Sequence, residues 1–404
     1  MKFSMDAADL KAAMERMMPI LKSRECANVF PDYMHVVANG NGVYIIGDTG
    51  HYALEIKLDA TVQDHGEAWM HQSDIRKISS LTGWITITAS SKDKCICFQS
   101  GKKRVELIDH DCTTASLYKN SERDDHLFDI LASDLCASIA SVSAALACED
   151  ARELLKGYNI NGKTGKLIAC DGYRLHAAKL AMENESMCLL KLNRTFRGEA
   201  YAHLRAALKS CMNSRIRVYD TDRFIKFVGD DFVYYVLCYD GEYMNAESII
   251  PKKRDYAFKI DAGELGAIAK EYEYWCKKEG CMALVTRDNK MYAALAQPEF
   301  RTVDIVEHFE LGNMPAPGDY LTLFAPAYIK DAMAAFGKNA VISAYGEYAE
   351  YGSCNVKPIM FESDKLECLV LPVRGSYARA DEFGKLVFSF IGDAVKPFAS
   401  AMGI

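Results

Sequence analysis

Three stretches of the 404-residue chain carry residue types that could do chemistry. Gly157-Tyr158-Asn159-Ile160-Asn161-Gly162-Lys163-Thr164 fits G-x-x-x-x-G-K-[ST], a loop that cradles phosphates when a strand precedes it and a helix follows, so that backbone N–H groups and the helix dipole meet the anion. Here the strand pattern Gly165-Lys166-Leu167-Ile168-Ala169-Cys170 follows and Asn161-Gly162 is a hairpin signal, so a turn is the better reading than a nucleotide site. Cys170-Asp171-Gly172-Tyr173-Arg174-Leu175-His176 packs a thiol, an acid, a cation and an imidazole into seven residues. A cysteine nucleophile needs its imidazole to converge on it across the fold, whereas Asp171-Gly172 reads as the turn between strands Leu167–Cys170 and Arg174–Ala177. Cys95 and Cys97 are the closest pair among 14 scattered cysteines and would share one face of a strand. A zinc site needs four converging ligands and no C-x-x-C pair occurs, so small buried thiols are expected and no metal. No stretch offers nucleophile, base and oxyanion site together, and the chain is expected to be non-enzymatic and without a cofactor.

Basic residues form a fourth set. Lys11, Arg16, Lys22 and Arg24 lie in or just after a first predicted helix, and Arg76 and Lys77 on a second. Arg194, Arg197, Arg205 and Lys209 follow, then Lys270, Lys277 and Lys278, then Lys330 and Lys338. On one helix such residues are a solvated face; on equivalent helices they suit a symmetric assembly that turns those faces inward. Ser133 to Ala147, with no Lys or Arg, is the exception. The whole chain is acidic, 55 Asp and Glu against 48 Lys and Arg for a formal charge of −7, which excludes holding nucleic acid by overall basicity and leaves only a local basic face. The start lacks the apolar core of a signal peptide and no apolar run reaches the ~18 residues of a membrane span, so a cytoplasmic protein with no membrane partner is expected.

The elements that position these residues come from an internal repeat. Phe3-Ser4-Met5-Asp6-Ala7-Ala8-Asp9-Leu10, Phe128-Asp129-Ile130-Leu131-Ala132-Ser133-Asp134-Leu135 and Phe258-Lys259-Ile260-Asp261-Ala262-Gly263-Glu264-Leu265 share one pattern, 125 and then 130 residues apart. Each reads as a short alternating strand followed by a helix start whose acid favours the first turn. A second helical stretch sits mid-repeat, at His71–Ile78, Arg194–Leu208 and Ala327–Met333, among short strands such as Gly42–Ile46, Ile85–Thr88, Arg223–Phe227 and Phe232–Leu237. The fold class is therefore α+β: antiparallel sheets carrying two helices per repeat, in three domains, 1–125, 126–253 and 254–374, with a C-terminal extension, 375–404, that has no counterpart in the first two units.

Several stretches together resemble the bacterial DNA polymerase III β subunit, the sliding clamp: Met1-Lys2-Phe3, Gln99-Ser100-Gly101-Lys102-Lys103-Arg104, Phe128 to Gly157, Leu167 to Leu175 (A-x-D-G-x-R-L) and Cys368-Leu369-Val370-Leu371-Pro372-Val373-Arg374. The resemblance covers 1–374. It implies three repeated DNA-clamp domains with sheets outside and helices lining a ring, closed as a head-to-tail homodimer around double-stranded DNA. A clamp loader opens the ring, which then tethers the replicative DNA polymerase. An acidic exterior with a basic lumen would reconcile the net charge with DNA, and loose contact with phosphates would favour sliding.

Carried onto this chain, the partner-peptide cleft between the second and third domains is Leu155, Cys170, Gly172, Tyr173, Arg174, Leu175, Met244, Ile249, Leu369, Leu371, Pro372, Val373 and Arg374. Aliphatic walls would take the anchors of a short aliphatic and aromatic peptide, while Arg174 and Arg374 orient it. The DNA-facing set is Arg24, Arg76, Lys77, Arg152, Arg194 and Arg197, and the dimer contact involves Val105 with Glu273 and Tyr274. The chain departs from the family at Tyr243-Met244-Asn245-Ala246, where F-P-D-Y is common, and at Glu149 and Glu153, which place acid where phosphates would pass. Those departures support an alternative, a clamp-like binding protein that titrates partners without encircling DNA. In the extension, Lys385-Leu386-Val387-Phe388-Ser389-Phe390 has the aliphatic-then-aromatic character of a clamp-binding peptide, but an extra helix or strand packed on the third domain is the better reading than a tail that competes for the cleft.

Overall fold

The computed structural model describes residues 1–27, 31–90, 92–110, 112, 117–149, 152–276, 281–287, 290–297, 302–310, 320–351 and 354–373. The extension 375–404, together with Arg374, Lys277 and Lys278, lies outside the described residues. Helices are α1 (Ala7–Leu21), α2 (Ile75–Ile78), α3 (Ala132–Ser143), α4 (Ala200–Ala207), α5 (Ala262–Cys276) and α6 (Pro326–Phe336). The chain divides into two compact units: residues 1–139, 156–165 and 180–243, and residues 140–155, 166–179 and 244 onward.

The repeated pattern folds three times as expected. Strands Lys2–Asp6, Asp125–Leu131 and Tyr256–Asp261 run into α1, α3 and α5, with Asp9, Asp134 and Glu264 in the first turns, where a carboxylate meets the positive end of the helix dipole. Asp6 caps α1 by accepting the Ala8 N–H (2.7 Å), and Asp261 accepts the Glu264 N–H (2.9 Å).

In the first unit, one antiparallel sheet runs in the order Thr61–Asp64, Lys2–Asp6, Trp84–Ser90, Cys95–Ser100, Lys103–Ile108. A second runs Gly66–His71, Tyr33–Asn39, Gly42–Asp48, Tyr52–Leu58, Phe232–Tyr239, Asn193–Arg197, Gly157–Asn161, and Asp125–Leu131, Arg215–Asp220 and Phe224–Val228 join it at Phe232–Tyr239. The buried face of α1 (Leu10, Ala13, Met14, Met17, Ile20, Leu21) has helical spacing and packs on α4 and on strands Gly42–Asp48 and Tyr52–Leu58. The approach is close enough that a Cβ on Gly47 would stand 2.5 Å from the Met17 sulfur. Burying a core side chain of this size is worth about 1.5–3 kcal/mol, so this face is the main attachment of α1.

In the second unit, one antiparallel sheet runs Tyr256–Asp261, Val341–Gly346, Ile359–Glu362, Leu366–Val370, Arg174–Lys179, Lys166–Cys170, and another runs Thr302–Glu310, Lys290–Gln297, Cys281–Arg287, Tyr320–Phe324. Helices α5 and α6 pack on each other. The segment after Thr164 is strand Lys166–Cys170, as the hairpin reading requires and a phosphate loop does not.

One element differs from expectation. The helix expected from Arg194 begins only at Ala200, because Asn193–Arg197 is a strand with Thr195 and Phe196 buried in it, followed by Gly198. Arg194 and Arg197 are therefore strand residues and do not belong to a helical face.

Candidate functional site

The turn 171–174 in the second unit gathers several nominated residues into one network of polar contacts. It forms because Asp171 Oδ1 accepts the N–H groups of Tyr173 and Arg174 (2.9 Å each), a local carboxylate-to-backbone closure. Gly172 takes φ +89°, where a side chain would be strained, and a Cβ there would stand 3.0 Å from the Arg152 guanidinium. The turn therefore holds a glycine, with Tyr173 projecting at its tip, 61% exposed.

Arg174 leaves the turn inward, its side chain only 11% exposed. Its Nε donates to Asp171 (3.0 Å) and its Nη1 to Asp331 on α6 (2.6 Å), while the guanidinium lies 4.6 Å from the centre of the Tyr328 ring. Arginine suits this place because its planar fork can serve two carboxylates and still present a face to a ring. Tyr328 in turn lies nearly parallel to Tyr173, with centroids 6.0 Å apart and planes at 21°. Burial, with Asp171 nearby, raises the Tyr328 phenol pKa. One guanidinium against two carboxylates leaves a negative charge in excess; Lys330 stands 3.6 Å from Asp331 and donates to both oxygens of Glu273 on α5 (2.7 and 2.8 Å). Charges thus alternate from the turn to α5. Tyr274 and Trp275, next along α5, are 77% and 57% exposed and pack edge to face at 5.5 Å.

Placement of the other nominated cleft residues is mixed. Leu155, Cys170, Leu175 and Leu369 are buried. Leu175 and Leu369 are direct partners across an antiparallel pair, so both side chains enter the same core face. Met244, Ile249, Leu371, Pro372 and Val373 are half-buried, and the Leu371 N–H donates to the Tyr173 carbonyl (2.9 Å), which holds that segment beside the turn. The Cys170 sulfur accepts the Gly172 N–H (3.3 Å). His176 is buried, donates from Nδ1 to the Ser141 carbonyl (3.0 Å), and is pushed by burial down to about 4. Its cross-strand partner Cys368 has its thiol pushed up by burial. Neither group is placed to reach a substrate from solvent.

The nominated basic residues divide by what holds them. Arg24 and Arg76 are exposed; Lys77 is exposed and paired with Asp74 (2.8 Å). Arg197 is held by Glu25 (2.7 Å) and the Tyr239 ring (4.4 Å), and Arg194 by Asp220 (3.3 Å) and the Asp222 carbonyl (2.9 Å). Arg16 is bound through both Nη atoms to Asp231 (2.5 and 3.0 Å). Arg152 is exposed and stands over the 171–174 turn. Glu149 and Glu153 are exposed. Val105 is half-buried on Lys103–Ile108, the last strand of its sheet, with Ile108 exposed on the same strand.

Sequence reasoning missed Tyr328, Asp331 and Trp275. Tyr328 and Asp331 stand three apart on α6 and share a face, but their partner Arg174 is 157 residues away from Asp331, so no local pattern announces the contact.

Compared by sequence, the chain matches no family model and no curated protein. Compared by structure, it is similar to the beta chain of DNA polymerase III from Streptococcus pneumoniae TIGR4 and to the DNA polymerase sliding clamp of Bacillus subtilis, each with TM-score 0.77, 17% identity and coverage of 93% of this chain and 100% of the other. It is equally similar to a sliding clamp, DNA polymerase III subunit beta, from Pseudomonas aeruginosa bound to griselimycin (TM-score 0.76, 18% identity, 93% and 100%). No described helix is long and apolar enough to cross a membrane. Mostly antiparallel sheets carrying few helices, matched along the full length of those proteins, give this chain the fold of the DNA polymerase III beta subunits, the sliding clamps.

Proposed function

We propose that the chain is a DNA sliding clamp: a cytoplasmic, non-catalytic processivity factor whose two copies close head to tail into a ring around duplex DNA. Each copy would supply three clamp domains, 1–125, 126–253 and 254–374. A clamp loader opens the ring, and the replicative DNA polymerase and other partners dock by a short peptide at the surface around Tyr173, Met244, Ile249 and Leu371–Val373. The observation that carries the reading is the fold match over the whole of each compared clamp.

Further support comes from two surfaces suited to a heterologous contact. Among the described strands, Lys103–Ile108 is a sheet edge with Val105 and exposed Ile108, and α5 offers exposed Tyr274 and Trp275. An edge strand left bare is an invitation to pairing. Sedimentation tests this directly: the expected species has twice the mass of the chain, and Trp275→Ala with Ile108→Asp shifts it to monomer. A monomer at every concentration would contradict a two-subunit ring.

A second reading, a clamp-like protein that binds partners without encircling DNA, is favoured by one observation. Arg194 and Arg197 are neutralised by carboxylates, and Glu149 and Glu153 stand exposed. It differs from the first in predicting no topological hold on DNA.

A further inference from the structure

The alternation Cys95-Ile96-Cys97-Phe98 predicts two thiols on one strand face and, for so small a residue, burial. The structure keeps the shared face and corrects the burial. Ile96 and Phe98 are buried on one side of strand Cys95–Ser100, whereas Cys95 and Cys97 are half-buried on the other. The strand is paired on both flanks: Cys95 stands opposite Ser90 and Ile108, and Cys97 opposite Thr88 and Glu106. Two ladders of hydrogen bonds therefore fix the backbone that carries the two sulfurs.

Same-face residues on a strand stand about 6.6–6.8 Å apart at Cα. Two metal–sulfur bonds of roughly 2.3 Å span at most about 4.6 Å. Rotamers that lean toward each other close that difference without moving the backbone. Carboxylates nearby are already engaged, Glu106 by Arg104 (2.5 Å) and Asp93 by the Ser90 hydroxyl (2.7 Å). Arg104 also lies against the Cys97 sulfur, so a cation stands beside the charge that metal-bound thiolates carry. Burial, with Glu106 and Cys97 nearby, raises the Cys95 thiol pKa, so a metal ion must displace its proton. Among the described residues no group of three or more His, Cys, Asp or Glu is placed to hold a metal ion, which leaves tetrahedral zinc unserved. Two thiolates suit instead a soft ion that accepts two sulfurs in line.

We propose that Cys95 and Cys97 form a two-thiolate site for Cu(I), a soft monovalent ion. Binding forms two copper–sulfur bonds and releases two thiol protons to solvent, with no change of oxidation state. It leaves a bis-thiolate of net charge −1 beside Arg104. The second sulfur makes the attachment intramolecular, which sets this pair apart from a single exposed thiol such as Cys188. Cys136 and Cys211 also lie near each other, but Cys136 is buried and closed to an ion from solvent. The site depends on neither the ring nor the peptide-docking reading.

The test uses the full chain, reduced and free of oxygen, titrated into the coloured Cu(I) complex of bathocuproine disulfonate, whose absorbance falls as copper leaves it. The chain is expected to withdraw one Cu(I) per molecule. Cys95→Ser and Cys97→Ser each leave one thiolate and are expected to weaken uptake about a hundredfold or more, while Cys188→Ser changes nothing. A measurement on the unaltered chain guards against variants that fold poorly: Cu(I) should shield Cys95 and Cys97 together from iodoacetamide, read by peptide mass spectrometry. Copper uptake that is absent, that survives either serine substitution, or that shields another pair such as Cys136 and Cys211 instead would overturn the proposal.

Discussion

Two arginines, one in each unit, are built into the same kind of cage and serve it differently. Arg197 in the first unit lies between the Glu25 carboxylate and the Tyr239 ring; Arg174 in the second lies between Asp171, Asp331 and the Tyr328 ring. In both the cation is mostly buried and balanced, and in both it steadies a short segment whose next exposed residue does the presenting. Behind Arg197 that residue is Arg24, on a segment also held by the Ser23 hydroxyl on Glu199 and by the Ala27 N–H on the Thr49 carbonyl. Behind Arg174 it is Tyr173. One cage therefore offers a cation, suited to phosphate, and the other a ring, suited to an apolar side chain. A basic residue's type says little about its role until the charges around it are counted.

Arg174→Ala leaves two carboxylates facing each other with one cation gone, and is expected to destabilise the second unit by about 4 kcal/mol in urea unfolding. A loss below about 1 kcal/mol would mean that water replaces the guanidinium and that the cage is looser than described.

Each unit also contains a buried histidine, which sharpens the parallel. His176, and His203 held by the Tyr234 hydroxyl and the Pro19 carbonyl, are both pushed by burial down to about 4. The unfolded chain takes up these protons first, at about pH 6.5, so the stabilisation is whole above that pH and is lost as pH falls toward 4, by about 3 kcal/mol for each imidazole. The urea midpoint measured down this range should fall, and His176→Gln and His203→Gln should each remove part of the slope. A midpoint independent of pH would place both rings in water.

Smaller effects separate the steadying arginine from the presenting one. Arg197→Ala should cost about 1.5 kcal/mol, the worth of a hydrogen bond to a charged group. Arg24→Ala, at an exposed position, should change stability by less than about 0.5 kcal/mol, yet lower the salt dependence of DNA binding by about one unit of slope. If Arg24→Ala leaves that slope unchanged, the first cage presents nothing to DNA.

Much of the architecture was legible because its causes are local. Strand, capping acid and helix start recur at Asp6–Ala7 and Asp261–Ala262 through contacts within three residues, and the 171–174 turn follows from an aspartate and a glycine side by side. The same locality misled at Arg194–Arg197, where helix formers downstream drew the boundary too early and Thr195 and Phe196 found sheet partners instead. The site was half legible. Among the residues nominated from the clamp resemblance, Tyr173 is exposed and Leu371–Val373 are half-buried, whereas Leu155, Cys170, Leu175 and Leu369 are buried and Arg174 is held by two carboxylates. Two of the groups that hold Arg174, Asp331 and Tyr328, lie on α6, and Glu25, which holds Arg197, lies 172 residues back in the chain. Which charges neutralise which is decided by tertiary packing, and a pattern read along the chain does not contain it.

Encirclement of DNA is tested by topology. The protein is dissociated by dilution, concentrated again with nicked circular plasmid, and passed through a sizing column in salt that strips ion-paired binders. The account predicts that it stays with the circle and leaves when a single cut linearises the DNA; release from intact circles in that salt, or equal retention before and after the cut, would contradict it.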